Sequence, residues 1–185
     1  MDSEVGDPEI KRARDTLRQG GVVAHATEGV WGLACDPFCQ PAVERIVAIK
    51  GRDVEKGLLL IAHDASVFQE ELREHSSELQ KRVLASWPGA HTWVLPNHRF
   101  SNTVTGGRHT VACWVPGHEQ ARQLCAAFAG PLVSTSANRS GQPALTEEAD
   151  VIAELGQEVD LVLSGRVLNP GMPSTIHGLN GEQLR

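Results

Sequence analysis

The chain has 185 residues, 41% hydrophobic and 22% charged, with a formal net charge of −6. That suffices for a single packed domain over 1–185, falls short of two ordinary ones, and excludes a disordered chain or a wholesale coat for nucleic acid. No apolar run approaches the roughly 20 residues of a membrane span, and "MDSEVGDPEIKRARD" lacks a secretory apolar core, so a cytoplasmic protein with no membrane contact and four reduced cysteines is expected.

Ile10, Ala13 and Leu17 recur at helical spacing until "RQGG" stops the pattern. On the opposite face Lys11, Arg14 and Arg18 form a basic stripe, which reads as a solvated surface or as a weak RNA contact. "GVVAHA" predicts a short buried strand. "PAVERIVAIKG" predicts a helix with Val43, Ile46 and Val47 on one face and Gly51 as its cap. "GLLLIA" is a continuous apolar run, as in a strand covered on both faces. "SVFQEEL" and "SSELQKRVLASW" predict helices, and "HTWVLP" and "HTVACWVP" predict strands. "HEQARQLCAAFAG" predicts an amphipathic helix with a glycine stop, followed by the strand "PLVST". "TEEADVIAELG" predicts a helix with a capping box at Thr146, "VDLVLSG" a strand, and "STIHGLNGEQLR" a hairpin around Asn180-Gly181. The alternation implies an α/β fold with a twisted mixed β-sheet and flanking helices.

Three polar segments follow predicted elements, where open α/β sheets bind ligands. "HATEGVWGLACDP" (25–37) is poor in charge and offers Thr27 as a hydrogen-bonding group; a tight turn with Trp31 and Leu33 in the core is the simpler reading. "IKGRDVEKG" (49–57) brings Lys50 and Arg52 together. Cations at a helix C-terminus complement its dipole, but a mobile ammonium beside a planar guanidinium also makes a phosphate clamp. "PLVSTSANRSGQPA" (131–144) places Ser134, Thr135, Ser136, Asn138 and Ser140 within seven positions. Capping and Asx-turn chemistry accounts for two or three of these groups more easily than for all five. No P-loop, zinc-helix or nucleophile-elbow pattern is present.

The pieces "ATEGVWGLACDP", "AIKGRDVEKGL", "SWPGAHTWVLP", "TVACWVPGH", "PLVSTSANRSGQPA" and "NPGMPSTIHGLNGEQLR" occur in an order that resembles the threonylcarbamoyl-AMP synthase (YrdC-like) family. The paired Lys-x-Arg (Lys50, Arg52) and Ser-x-Asn (Ser136, Asn138) are the specific part. The chain looks like the short form, without the further C-terminal domain of longer relatives. The resemblance implies a mixed sheet around a concave basic cavity. It implies a nucleotidyltransferase that joins L-threonine, bicarbonate and ATP into L-threonylcarbamoyl-AMP with release of pyrophosphate, for threonylcarbamoyladenosine in tRNA. A separate transferase complex would consume the product, and Mg²⁺ is expected with ATP, its ligands unassigned.

By the same resemblance Lys50 and Arg52 are the catalytic cations. Thr110, Ser136, Asn138 and Arg185 join them at ATP, while Thr27, Ser134 and Ser174 face threonine. Two departures stand out: His25-Ala26 replaces the usual Tyr-Pro, and Trp114 stands where relatives carry an Arg expected near the threonine carboxylate. Arg108 is a candidate substitute cation. The rival readings are an RNA-binding module without catalysis and a related carbamoyl-transfer or hydrolase enzyme on the same scaffold.

Overall fold

Eight strands in one twisted mixed sheet form the frame of the computed structural model, which describes residues 7–185. In chain order they are β1 (Val23–Ala26), β2 (Trp31–Cys35), β3 (Leu59–Ile61), β4 (His91–Pro96), β5 (Thr110–Trp114), β6 (Leu132–Ser136), β7 (Leu161–Val162) and β8 (Thr175–His177). Their spatial order is β7-β1-β2-β6-β3-β5-β4-β8. β1–β2, β2–β6, β6–β3 and β5–β4 run antiparallel; β7–β1, β3–β5 and β4–β8 run parallel. The central strands read as unbroken apolar runs because helices and loops cover both faces: Leu33, Ala34, Leu60, Ile61, Leu132 and Val133 are all fully buried. Each of these leucine, isoleucine and valine side chains contributes about 1.5–3 kcal/mol by leaving water.

Helix α1 (Pro8–Arg18) starts with the Asp7 carboxylate accepting from Glu9 N at 2.9 Å and buries Ile10, Ala13 and Leu17. It packs against helix α6 (Glu119–Phe128). Its basic stripe is partly spent on the protein: Arg14 pairs with Asp15 at 2.7 Å, and Arg18 reaches the Ala127 carbonyl at 3.4 Å. Helix α2 (Gln40–Lys50) buries Val43 and Ile46 and closes on Gly51 at φ +56°, the left-handed stop that glycine adopts without strain. The stretch around 65–72 divides into a 3-10 turn and the single turn α3 (Gln69–Leu72), followed by α4 (Ser77–Ser86) and α5 (Asn102–Thr105).

Two helix ends differ from expectation. The sixth helix, α6 (Glu119–Phe128), closes on Ala129 at φ +66° rather than on the following glycine. The stop is set where the buried face of Ala121, Leu124 and Cys125 runs out, and packing overrides the local preference for glycine. Helix α7 (Glu148–Leu155) begins after Glu147 with no side-chain cap. Thr146 makes no capping box there; it lies in the wall of the large cavity instead. The C-terminal hairpin forms as expected, Gly178 N donating to Glu182 O at 2.7 Å and Leu184 N to Ile176 O at 2.7 Å. Among the described residues no helix is long and apolar enough to cross a membrane.

Candidate functional site

The sheet curves around a cavity of about 870 Å³. Its wall is built from the β1–β2 turn, the segment after α2, the ends of β5 and β6, and the 171–176 stretch. Seven of the nine residues expected at the site line it: Thr27, Arg52, Thr110, Ser134, Ser136, Ser174 and Arg185. They come from six chain segments, so the sheet order makes the site. Thr27 also closes the β1–β2 turn, its hydroxyl donating to Val30 O at 2.7 Å. Ser174 Oγ lies 2.9 Å from Thr92 Oγ1, and Arg185 reaches the Ser174 carbonyl at 3.3 Å.

Lys50 and Asn138 are the two that do not line the cavity. Lys50, 2% exposed, points from the end of α2 into the turn after β6. Its Nζ donates to Ser136 O at 2.5 Å, Asn138 O at 3.0 Å and Asn138 Oδ1 at 3.0 Å. Those acceptors use all three N–H groups of an ammonium. Asn138 is equally committed: its Oδ1 accepts from Ser136 Oγ at 2.6 Å and its amide donates to Gln142 O at 2.7 Å. Lys50 of the Lys-x-Arg pair therefore meets Ser136 and Asn138, whereas Arg52 lines the cavity without a hydrogen bond to either. Lys50 and Asn138 brace the turn that presents Ser136, while Arg52 and Ser136 line the cavity. Ser140 N, donating to Lys50 O at 2.7 Å, fastens the same turn to α2.

Arg52, Lys56, Arg108 and Arg185 line the cavity against a single carboxylate, Glu28, among the described residues. None of these four cations makes an ion pair there, whereas Arg14, Arg45, Arg99 and Arg139 each pair with an acid elsewhere. Arg52 Nε is buried without a partner, and among the described residues its guanidinium makes a single hydrogen bond, a 3.5 Å contact to Lys56 O. Burial, and secondarily the charge of Arg108, holds the Arg52 guanidinium below its ordinary range. Burial and then Arg52 lower Lys50 to about 8. Four cations against one carboxylate give the cavity wall an excess of positive charge, which attracts anions.

The family described as telomere recombination (Sua5/YciO/YrdC) matches residues 15–185. The chain belongs to this family. Threonylcarbamoyl-AMP synthase of Chromohalobacter salexigens is 45% identical over 178 residues, covering 95% of this chain and 96% of the relative. That of Vibrio vulnificus is 44% identical over 178 residues with the same coverage, 95% and 96%. Among solved structures, P. abyssi Sua5 complexed with L-threonine superposes with a TM-score of 0.86 at 32% identity over 95% of this chain, which spans 53% of that longer protein. E. coli YciO, at 23% identity and a TM-score of 0.79 over 92% of this chain and 83% of its own, shows the shared fold.

The Sua5/YciO/YrdC frame also locates the departures. Trp114 lines the cavity but gives its indole N–H to the Gly89 carbonyl, so it offers the site an apolar face and no donor. Arg108, the candidate substitute, is in the lining; its guanidinium donates to Thr105 O at 3.2 Å. Two members of the site were not singled out from sequence. Lys56 precedes strand β3 in the sequence, and the fold places it in the cavity lining. Glu28 accepts from Gly117 N and keeps Oε2 buried without a partner. Burial raises its pKa, and it ties the β1–β2 turn to the loop after β5. An acid adjacent to Thr27 in a charge-poor segment was the available signal.

Proposed function

We propose that the chain catalyses ATP-dependent formation of L-threonylcarbamoyl-AMP from L-threonine and bicarbonate, as a nucleotidyltransferase. The observation that carries this is the group of four cations without carboxylate partners around one cavity, in a chain with relatives named for that product. Threonine's amine and bicarbonate give the N-carboxylate and water. A carboxylate oxygen then attacks the α-phosphorus of ATP, the bond to the bridging oxygen breaks, and pyrophosphate leaves. Charge gathers on the phosphoryl oxygens during that step. Arg52 holds them with its planar fork, and Lys56 and Arg108 add charge beside it. Lys50 acts from behind, fixing the Ser136 turn and adding its field. Ser136, Thr110 and Arg185 hold the nucleotide; Thr27, Ser134 and Ser174 hold the amino acid.

Mg²⁺ enters as part of the ATP substrate. Such an ion is held mainly by phosphate oxygens and water. Much of the rate comes from holding an unstable anion against the α-phosphorus, since effective molarities reach about 10⁵–10⁸ M in well-oriented systems. The product then passes to a separate transferase complex that modifies tRNA, which places the reaction in the cytoplasm.

The test is pyrophosphate release in the presence of all three substrates. Release requiring both threonine and bicarbonate is expected, with Arg52→Ala about 10²-fold slower. Release indifferent to threonine, or turnover of serine or carbamoyl phosphate in its place, would assign the scaffold to another carbamoyl-transfer or hydrolytic reaction. No release, with salt-sensitive RNA binding, would make it a binding module.

A further inference from the structure

His25 is fully buried in β1 and has no place in the chemistry above. Its Nδ1 lies 3.1 Å from the Ala26 carbonyl and its Nε2 lies 3.1 Å from Ser134 Oγ. A carbonyl oxygen only accepts, so Nδ1 carries the hydrogen. A neutral imidazole has one N–H, so Nε2 is bare and Ser134 must donate to it. The ring is neutral: burial, opposed by the Ala26 carbonyl and reinforced by His118, lowers its pKa to about 4.

Glycine makes this contact available. His25 pairs across the sheet with Gly32, which pairs in turn with Ser136. A β-carbon at Gly32 would stand 3.0 Å from Ser134 Oγ and 3.2 Å from His25 Nε2. The ring therefore crosses a strand over the bare backbone of Gly32.

The consequence concerns direction. With its hydrogen committed to His25, Ser134 Oγ presents only lone pairs to the cavity it lines. A phosphate oxygen at neutral pH is also an acceptor and gains nothing there. A hydroxyl or an N–H gains a hydrogen bond. Ser134's resolved partner is neutral, while the cavity cations are brought in by the segment after α2, the loop before β5 and the C-terminus.

We propose that His25 is a positioning residue which, by accepting the Ser134 O–H, makes Ser134 Oγ an acceptor that selects a hydrogen-bond donor of the amino-acid substrate, its hydroxyl or its N–H. This rests on the reaction proposed above and specifies which end of the reactants meets this wall. A site built to accept from a substrate donor discriminates against analogues lacking it.

Nitrogen-15 NMR of the imidazoles in the unmodified protein tests the direction itself. A His25 ring protonated at Nδ1 is expected; an Nε2–H tautomer would overturn the proposal. Steady-state kinetics test the consequence. His25→Phe should raise KM for threonine about three- to tenfold while KM for ATP moves less than about twofold, and His25→Gln, whose side-chain oxygen can accept, should recover part of the loss. L-2-aminobutyrate, which lacks the hydroxyl, identifies the donor. If its KM ignores His25→Phe, the donor is the threonine hydroxyl; if it responds as threonine does, the donor is the N–H. KM values for threonine and ATP rising together in folded His25→Phe, with no recovery in His25→Gln, would sink the proposal while leaving the reaction standing. Wild-type enzyme with no threonine-dependent pyrophosphate release would instead overturn the reaction reading, and this inference with it.

Discussion

A cation buried without an anion is held in its charged state against a free-energy cost, and Lys50 shows the size of it. Burial first, and the charge of Arg52 second, bring its pKa from 10.5 to about 8. The ammonium is then still mostly charged at neutral pH, held by neutral oxygens of Ser136 and Asn138. Raising the pH through about 8 removes that charge from behind the Ser136 turn, where the proposed reaction puts the nucleotide. ATP affinity should therefore fall between pH 7.5 and pH 9 by several-fold, read by calorimetry, and Lys50→Met should be weaker overall and flatter across that range. The sign for stability is opposite. The folded pKa lies below the unfolded one, so between about 8 and 10.5 the unfolded chain binds more protons, and this group adds stability as pH rises. Weaker ATP binding caused by general unfolding would show a falling melting temperature over the same range. An affinity unchanged up to pH 10 would remove Lys50 from nucleotide binding.

Elements were legible in the sequence wherever their cause is local. The faces of α1 and α2, the stop at Gly51 and the buried run of β3 follow from periodicity, a glycine and an apolar stretch. The miscarried ends have a tertiary cause. Thr146 carries the pattern of a cap, yet its segment follows the cavity wall and α7 starts two residues later. At α6 the chain turns on Ala129, exposed at φ +66°, with its amide donating to Cys125 O at 2.9 Å. An L side chain there costs about 1–2 kcal/mol, part of which glycine returns through greater freedom in the unfolded chain. Ala129→Gly should thus stabilise the protein by about 0.5–1 kcal/mol in urea unfolding, with activity unchanged, since the residue lies outside the cavity lining. A loss of stability would show that Ala129 makes contacts worth more than its backbone strain.

At the scale of the molecule the site is an arrangement of distant segments, and that limited its legibility. Lys50 meets Ser136 across 86 positions and His25 meets Ser134 across 109. No periodicity reports such separations; only the ordered resemblance of the motifs brought the two halves together, and it gave no sign that Lys50 and Asn138 would be occupied with each other. The charge distribution is likewise invisible in a total of −6. An acidic protein carries a cavity with four cations and one carboxylate, and those cations make no ion pair among the described residues. Their field is therefore open to screening over the roughly 10 Å Debye length of 0.1 M salt. ATP, a multiple anion, should bind more weakly as salt rises from about 50 mM to 500 mM, while zwitterionic threonine, with little net charge for the field to act on, should be nearly indifferent. Lys56→Ala and Arg108→Ala should each weaken ATP about five- to tenfold at low salt, as for loss of about 1 kcal/mol of charge attraction, and flatten the salt dependence. Parallel salt responses of the two ligands would mean that salt acts on the fold and that the cavity's charge does not select the nucleotide.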